Sequence, residues 1–362
     1  MNKIFASSLL TLLVFSIFSV LNSCSNTANE TSEEEVQKTV YASDVIPFFD
    51  HWKLILGDGS NAGFANNFEH KDFFYTANDG ENDWVVYKAP NAGDTHGTSN
   101  NTRTELAQAK KWYPATANDK LAATLKVMNV SATGDARVAA SYAVVIGQIH
   151  SADGHENEPL KIFYKKFPGH TKGSVFWHYE INTAGDDNSG RWDYSTAVWG
   201  YDFSVVGTEA NTYPEEPEDG IELGEELSYE IEVKDGIMSL TFTSEGHETK
   251  TFTKNLVVSE YTTTADIPAQ TQGLFVPIGQ DGVERENAYT GEGLFFKLGC
   301  YNQTNGKSPE VNRNWCSGAE THGGDVQKQY ADGNYAEVWF KTASISVSDA
   351  AVSNEGYFTK ND

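Results

Sequence analysis

An all-β domain is the fold class this sequence predicts, on three observations. Strand-forming runs recur along its length, Gly, Asn and Asp fill the gaps between them, and long amphipathic helical patterns are nearly absent. The runs are Leu121–Val127, Ala139–Ile149, Lys161–Lys165, Ser174–Ile181, Leu227–Val233, Met238–Thr243, Gly273–Pro277, Gly293–Tyr301 and Tyr335–Thr342. Many strands separated by turn signals mean a sandwich, a barrel or a jelly roll. No Pro/Ser-rich linker and no internal repeat interrupts residues 46–362, so one domain of roughly 320 residues is expected there.

Ahead of that domain, Lys3 supplies a short positive region and Ile4 to Leu21 an apolar stretch, followed by Leu21-Asn22-Ser23-Cys24. This order fits an export signal over residues 1–23 better than a membrane span. The Leu-x-Ser-Cys ending resembles a bacterial lipobox, which implies cleavage before Cys24 and a lipid on that cysteine. An ordinary secretory signal with an incidental cysteine is the other reading. From Ser25 to Glu35 the chain is too polar and acidic to fold, so residues 24–45 read as a flexible tether. The expectation is an exported lipoprotein of the outer membrane, held on its periplasmic or outer face. Of the three cysteines, Cys300 and Cys316 then remain as a pair. In an oxidising compartment they are candidates for a disulfide, worth roughly 3 kcal/mol if chain entropy alone is counted.

The net charge of −25 argues against nucleic acid or anionic lipid as a bulk partner, because both need a positive field. It leaves open a polyanionic substrate met by locally clustered basic residues. The acidic run from Glu215 to Glu226 lacks the ligand spacing of an EF-hand and reads as a solvated loop.

Three strand-like segments carry polar side chains at alternate positions, which places them on one face. In Asn101-Thr102-Arg103-Thr104-Glu105-Leu106, Arg103 and Glu105 face one way and Thr104 and Leu106 the other. A guanidinium is the natural planar partner of a carboxylate, although the pair also reads as a salt bridge on a sheet surface. In Gln148-Ile149-His150 an amide and a group that titrates near neutrality share a face. Such a histidine is also the ordinary neighbour of a core. From Leu294 to Gln303, Lys297, Gly299, Tyr301 and Gln303 oppose Phe296, Leu298 and Cys300. Gly299 leaves room for close approach to the backbone, and Tyr301 equally reads as an amphipathic core residue.

No Gly-x-Ser-x-Gly elbow, His-Glu-x-x-His zinc site, Cys-x-x-Cys pair or phosphate-binding Gly loop appears. No closely spaced Glu/Asp pair of the kind many jelly-roll glycosidases use lies on one strand, a weak argument against hydrolysis by paired carboxylates, since such acids can come from distant segments. The set Arg, Gln, His, Lys and Tyr suits β-elimination from a 4-O-linked uronate. Arg and Gln would neutralise the carboxylate and lower the cost of removing the C5 proton. A neutral His or a tyrosinate would take that proton, and a Tyr hydroxyl would protonate the departing O4. That reaction requires no metal and no cofactor, and none is expected.

These segments resemble the three blocks of alginate lyases of polysaccharide lyase family seven. Arg103-Thr104-Glu105-Leu106, Gln148-Ile149-His150 and Phe296-Lys297-Leu298-Gly299-Cys300-Tyr301-Asn302-Gln303 match them in order, and Phe48 to Leu54 resembles the family's opening strand. The resemblance runs from about residue 46 to near the C-terminus. It implies a β-jelly roll, a two-sheet antiparallel sandwich whose blocks line a concave substrate groove. It implies that Arg103 and Gln148 neutralise the carboxylate, that His150 is the base for guluronate and that Tyr301 is the acid, serving as both for mannuronate. Lys297, Glu105 and Gln303 are the expected supporting substrate contacts. Ile149 tilts the expectation towards guluronate-containing substrate. A monomer acting on alginate or its oligosaccharides is expected.

The chain departs from the family where the first block usually closes with Arg, since Ala107 stands there. Lys161, Lys165, Lys166 and Arg191 are candidates for the missing charge. The region from Gly185 to Gly220 holds Trp192, Tyr194, Trp199 and Tyr201, which would stack on sugars or cover the sheet. A second extension runs from Thr304 to Gly333. Loops of this length are often functional, and together they would narrow one end of the groove and favour release of short products from a chain end, with endolytic depolymerisation as the other reading. The alternatives are a non-catalytic carbohydrate-binding lipoprotein of the same shape, and a glycosidase of a related jelly-roll class.

Overall fold

Period-two burial is plainest in the strands that cover the back of the molecule, where every second side chain is buried between two sheets. A computed structural model describes residues 40–95, 99–152, 158–181, 192–257, 289 and 291–359. The export signal, Cys24, the tether as far as residue 39, Arg191 and Gly273–Pro277 lie outside the described residues.

In chain order the strands begin with β1 (Trp52–Ile55), β2 (Asn61–Gly63), β3 (Phe74–Asn78), β4 (Asp83–Pro90), β5 (Arg103–Gln108), β6 (Lys110–Lys111) and β7 (Asn118–Asn129). They continue with β8 (Ala143–Ser151), β9 (Leu160–Lys165), β10 (Lys172–Ile181), β11 (Trp192–Trp199), β12 (Ile221–Glu222) and β13 (Glu226–Lys234). The last are β14 (Ile237–Ser244), β15 (Lys250–Asn255), β16 (Leu294–Asn302), β17 (Tyr335–Ser346) and β18 (Val352–Ser353).

Among the described residues, one sheet has the order β11-β10-β9-β8-β16-β5-β1-β2, with β12 on β10, and the other β15-β14-β13-β7-β17-β4-β3. Long connections insert β16 between β8 and β5, and β17 between β7 and β4, all antiparallel. This is the expected β-jelly roll. Between the sheets, Trp52, Leu106, Ile146, Ile149, Leu298, Tyr87, Tyr229 and Phe340 are buried in one cluster. Each such side chain contributes about 2 kcal/mol of transfer free energy.

The two sheets differ in a way that the sequence pattern hides. In β7, β13 and β14, buried positions alternate with partly exposed ones. In β5 and β9 every residue is buried, and in β8 and β16 all but one. Their outer face is therefore covered as well, although it carries charged and polar side chains. Phe203 and Trp315, from the two long connections, pack on Phe163, Phe176 and His178 of that face.

Several expectations shift in detail. The segment from Phe48 opens with a helical turn at Phe49–His51, and the strand starts only at Trp52. Residues 139–142 form turns ending at Tyr142, which has φ of 63°, so β8 starts at Ala143. The connection from Gly185 to Gly220 contains an edge strand, β11. Trp199 in it is buried, its indole donating to the Glu248 carbonyl at 3.0 Å, and so covers the sheet.

The Cys300–Cys316 disulfide does not form, and both residues are free buried thiols. Alternation along β16 points Cys300 inward with Leu298 between the sheets. Cys316 follows Trp315, whose ring packs over the opposite face of the same sheet. Side chains on opposite faces of a sheet cannot meet the geometry of a disulfide.

Candidate active site

Pairing brings the three polar segments side by side, since β5, β16 and β8 are neighbours. Tyr301 lies opposite Arg103, Lys297 opposite both Ala107 and Gln148, and Phe295 opposite His150. Residues up to about 200 positions apart in sequence thus share one face. Bulges keep the parity: the register slips between Leu298 and Tyr301 on β16 and between Val145 and Gly147 on β8. Gly299 has φ of +145°, and a Cβ there would collide with the Thr104 carbonyl and the Glu105 Cα. The backbones of β16 and β5 therefore approach closely next to Glu105, flanked by Lys297 and Tyr301.

Glu105 is the hub of the site. Its carboxylate lies 2.7 Å from Lys297 Nζ and 3.6 Å from the Arg103 guanidinium, and accepts a 2.5 Å hydrogen bond from Gln148 Nε2. Burial alone would raise its pKa, but Lys297, Arg103 and the Gln148 amide outweigh it and hold the group below the usual carboxylate range. Glu105, Lys297 and Gln148 have no exposed surface. This corrects the expectation that Glu105 and Lys297 touch a ligand: they form a buried pair whose effect is to fix Arg103 and Gln148. Gln303 is also buried. Its backbone N–H donates to the Ala143 carbonyl at 3.0 Å and its side-chain amide to the Tyr301 carbonyl at 3.4 Å.

Arg103 is 7% exposed, and its guanidinium carbon lies 3.8 Å from the centre of the Tyr301 ring. A cation stacked on an aromatic face is held in plane. The Tyr301 hydroxyl is 3.1 Å from Ser99 Oγ. On the other side, His150 Nδ1 lies 2.7 Å from the Ser151 carbonyl, which makes Nδ1 the protonated nitrogen and leaves the Nε2 lone pair available. Nε2 is 3.4 Å from Glu158. The His150 pKa is lowered to about 4, chiefly by desolvation with help from Lys297 and Arg103, against the upward pull of Glu158 and the Ser151 carbonyl. The imidazole is therefore neutral at ordinary pH.

Of the next layer, sequence reasoning singled out only Lys161. Lys161 on β9 pairs with Glu158 at 2.9 Å and Glu180 at 2.7 Å, and His178 on β10 meets Asp193 at 3.2 Å. The available signal was alternation on β9 and β10, which puts Lys161, His178 and Glu180 on the outer face. Ser99 and Glu158 come from irregular segments with no pattern to read. Of the candidates for the charge absent at Ala107, Lys165 is buried and donates to the Ala139 and Val205 carbonyls at 2.8 and 3.1 Å, its pKa pushed down to about 7 by desolvation. Lys166 donates to the His170 carbonyl at 2.8 Å. Lys161 alone of the three reaches the polar cluster. Among the described residues no group of three or more His, Cys, Asp or Glu side chains is placed to hold a metal ion.

A guanidinium for a carboxylate, a neutral imidazole and a phenol hydroxyl therefore meet on one face. The family model described as Alginate lyase, Alginate_lyase2, matches residues 46–347. The structure is similar to that of the exolytic PL7 alginate lyase from Zobellia galactanivorans, at 64% identity and a TM-score of 0.77, over 86% of this chain and 99% of that one. It is also similar to the alginate lyase of Klebsiella pneumoniae. As a sequence that relative is 26% identical, over 72% of this chain and 83% of its own length. As a solved structure it is 20% identical with a TM-score of 0.57, over 83% of this chain and 96% of that one. With the matched model spanning the whole jelly roll and all three motif strands, the chain belongs to the alginate lyase family and is a polysaccharide lyase.

Proposed function

We propose that this alginate lyase releases short unsaturated products from the end of guluronate-containing chains, with Arg103, Gln148, His150 and Tyr301 as its working residues. The observation that carries the reading is the placement of a neutral His150 and the Tyr301 hydroxyl on one face with Arg103. Arg103 takes the uronate carboxylate and, with the Gln148 amide buried beside it against Glu105, stabilises the charge that develops on it. His150 Nε2 removes the C5 proton, and Glu158 beside it stabilises the imidazolium that results. The C4–O4 bond breaks as the C4=C5 double bond forms, and O4 takes the proton of the Tyr301 hydroxyl. Solvent then reprotonates Tyr301 and deprotonates His150.

Attack at a chain end is supported by the covering of the outer face beyond Tyr301 by Phe203 and Trp315. The 64%-identical relative described as exolytic supports it independently. Ile149 is buried between the sheets, so its association with guluronate acts through the placement of Gln148 and His150 rather than by touching sugar. Timed product analysis on poly-guluronate, poly-mannuronate and mixed blocks tests the reading. Short products should accumulate from the first minutes on guluronate-containing chains while polymer viscosity falls slowly. An early viscosity drop with mixed oligomers would show internal cleavage instead.

A further inference from the structure

The family match ends at residue 347, but the chain continues along the site. Strand β18 pairs with β6, Val352 opposite Lys111 and Ser353 opposite Lys110. The Asn354 backbone N–H donates to the Ala109 carbonyl at 2.9 Å, and its side chain to the Gln108 carbonyl at 3.2 Å. These bonds tie the segment to the end of β5, the strand that carries Arg103 and Glu105. A short helix, Glu355–Thr359, follows. Its Phe358 is buried against Ala107 and Phe295, and its Glu355 lies 2.6 Å from Lys53 Nζ, which sits 4.7 Å from the Phe358 ring.

Tyr357 then reaches the catalytic face. Its ring meets His150 edge-on at 5.5 Å and 62°, lies 4.7 Å from Phe295, and has Lys297 Nζ 5.8 Å from its centre. Position 107 makes this possible. Ala107 is the cross-strand neighbour of Lys53 on one side and Lys297 on the other, and Phe358 packs on it. An arginine there would fill the space that Phe358 occupies and add a third cation to the row. The departure from the family pattern and the added wall are therefore complementary.

We propose that the C-terminal segment forms a wall of the active site and that Tyr357 is a positioning residue for His150, fixing the imidazole against Phe295 and keeping water from its edge. Among the described residues, the groups facing His150 are Glu158 from the segment just before β9, Lys297 from β16, Arg103 from β5, the Ser151 carbonyl and Tyr357. Removing the Tyr357 ring admits water beside His150 while Glu158 stays, so the protonated form gains. This inference rests on His150 being the base, and one experiment separates the two.

The experiment follows the His150 imidazole by NMR and kcat/KM against pH in Tyr357→Ala and Tyr357→Phe, with oligo-guluronate as substrate. In the unaltered enzyme both the titration and the acid limb should fall near pH 4. Tyr357→Ala should move both upward by about one pH unit, lowering kcat/KM roughly threefold at about pH 4.5. Tyr357→Phe should leave both in place. Should Tyr357→Ala not fold, Tyr357→Leu carries the same expectation. An unmoved His150 titration in folded Tyr357→Ala or Tyr357→Leu overturns the positioning role. A titration that moves while the acid limb does not would instead overturn His150 as the base.

Discussion

Tyr301→Phe should lower turnover by roughly a thousandfold, the scale of a lost general acid, and leave oligosaccharide binding nearly unchanged. The substitution keeps the ring on which the Arg103 guanidinium stacks at 3.8 Å, so the carboxylate site stays formed. It removes only the hydroxyl and its 3.1 Å contact with Ser99. Without that proton the C4–O4 bond would have to expel an alkoxide. Ultraviolet absorbance of the unsaturated product reports turnover, and calorimetry with guluronate oligomers reports binding. Retained turnover would remove Tyr301 from the role of acid. The same pair of measurements on the unaltered protein separates a lyase from a non-catalytic carbohydrate-binding protein, which has no use for the hydroxyl.

The second large effect is on stability. Glu105→Ala leaves Lys297 and Arg103 facing each other in a buried setting with their shared counter-charge gone. Breaking a buried ion pair by removing one partner costs roughly 3–5 kcal/mol, which corresponds to a fall in Tm of roughly 5–10 °C for a domain of this size. Activity should fall too, because Gln148 loses the acceptor of its 2.5 Å hydrogen bond. Adding Lys297→Met should recover part of the lost stability, since one of the stranded charges is then removed. Thermal unfolding followed by circular dichroism checks both variants. A single variant that melts with the unaltered enzyme would mean that the buried cluster contributes little.

The shared face of the residues proposed for the chemistry was legible because alternation is a local rule. Arg103, Gln148, His150 and Tyr301 each sit on a strand whose apolar neighbours announce which face is inward, and three such strands in order matched one reaction. The same rule, carried one residue further, separates Cys300 from Tyr301 and places that thiol between the sheets. The disulfide expectation followed the count of cysteines where it needed to follow the face. Glu105 was found but given the wrong task, because burial on both faces of a sheet depends on distant loops that alternation does not register. Trp192–Trp199 mixes Asp, Tyr, Ser and Thr within a region rich in Gly and Asp, so the edge strand read as a connection. Tyr357 lies beyond the last long strand, in a segment whose place beside His150 is set by tertiary packing alone.

The central claim is cleavage by elimination, in which no water enters the product. Digestion of poly-guluronate in 18O-enriched water followed by mass analysis tests it directly. Elimination by His150 and Tyr301 predicts products carrying a 4,5-unsaturated ring at the new non-reducing end, with no heavy oxygen incorporated at the cleaved bond. Saturated products that carry the label would mean hydrolysis and would contradict the assignment.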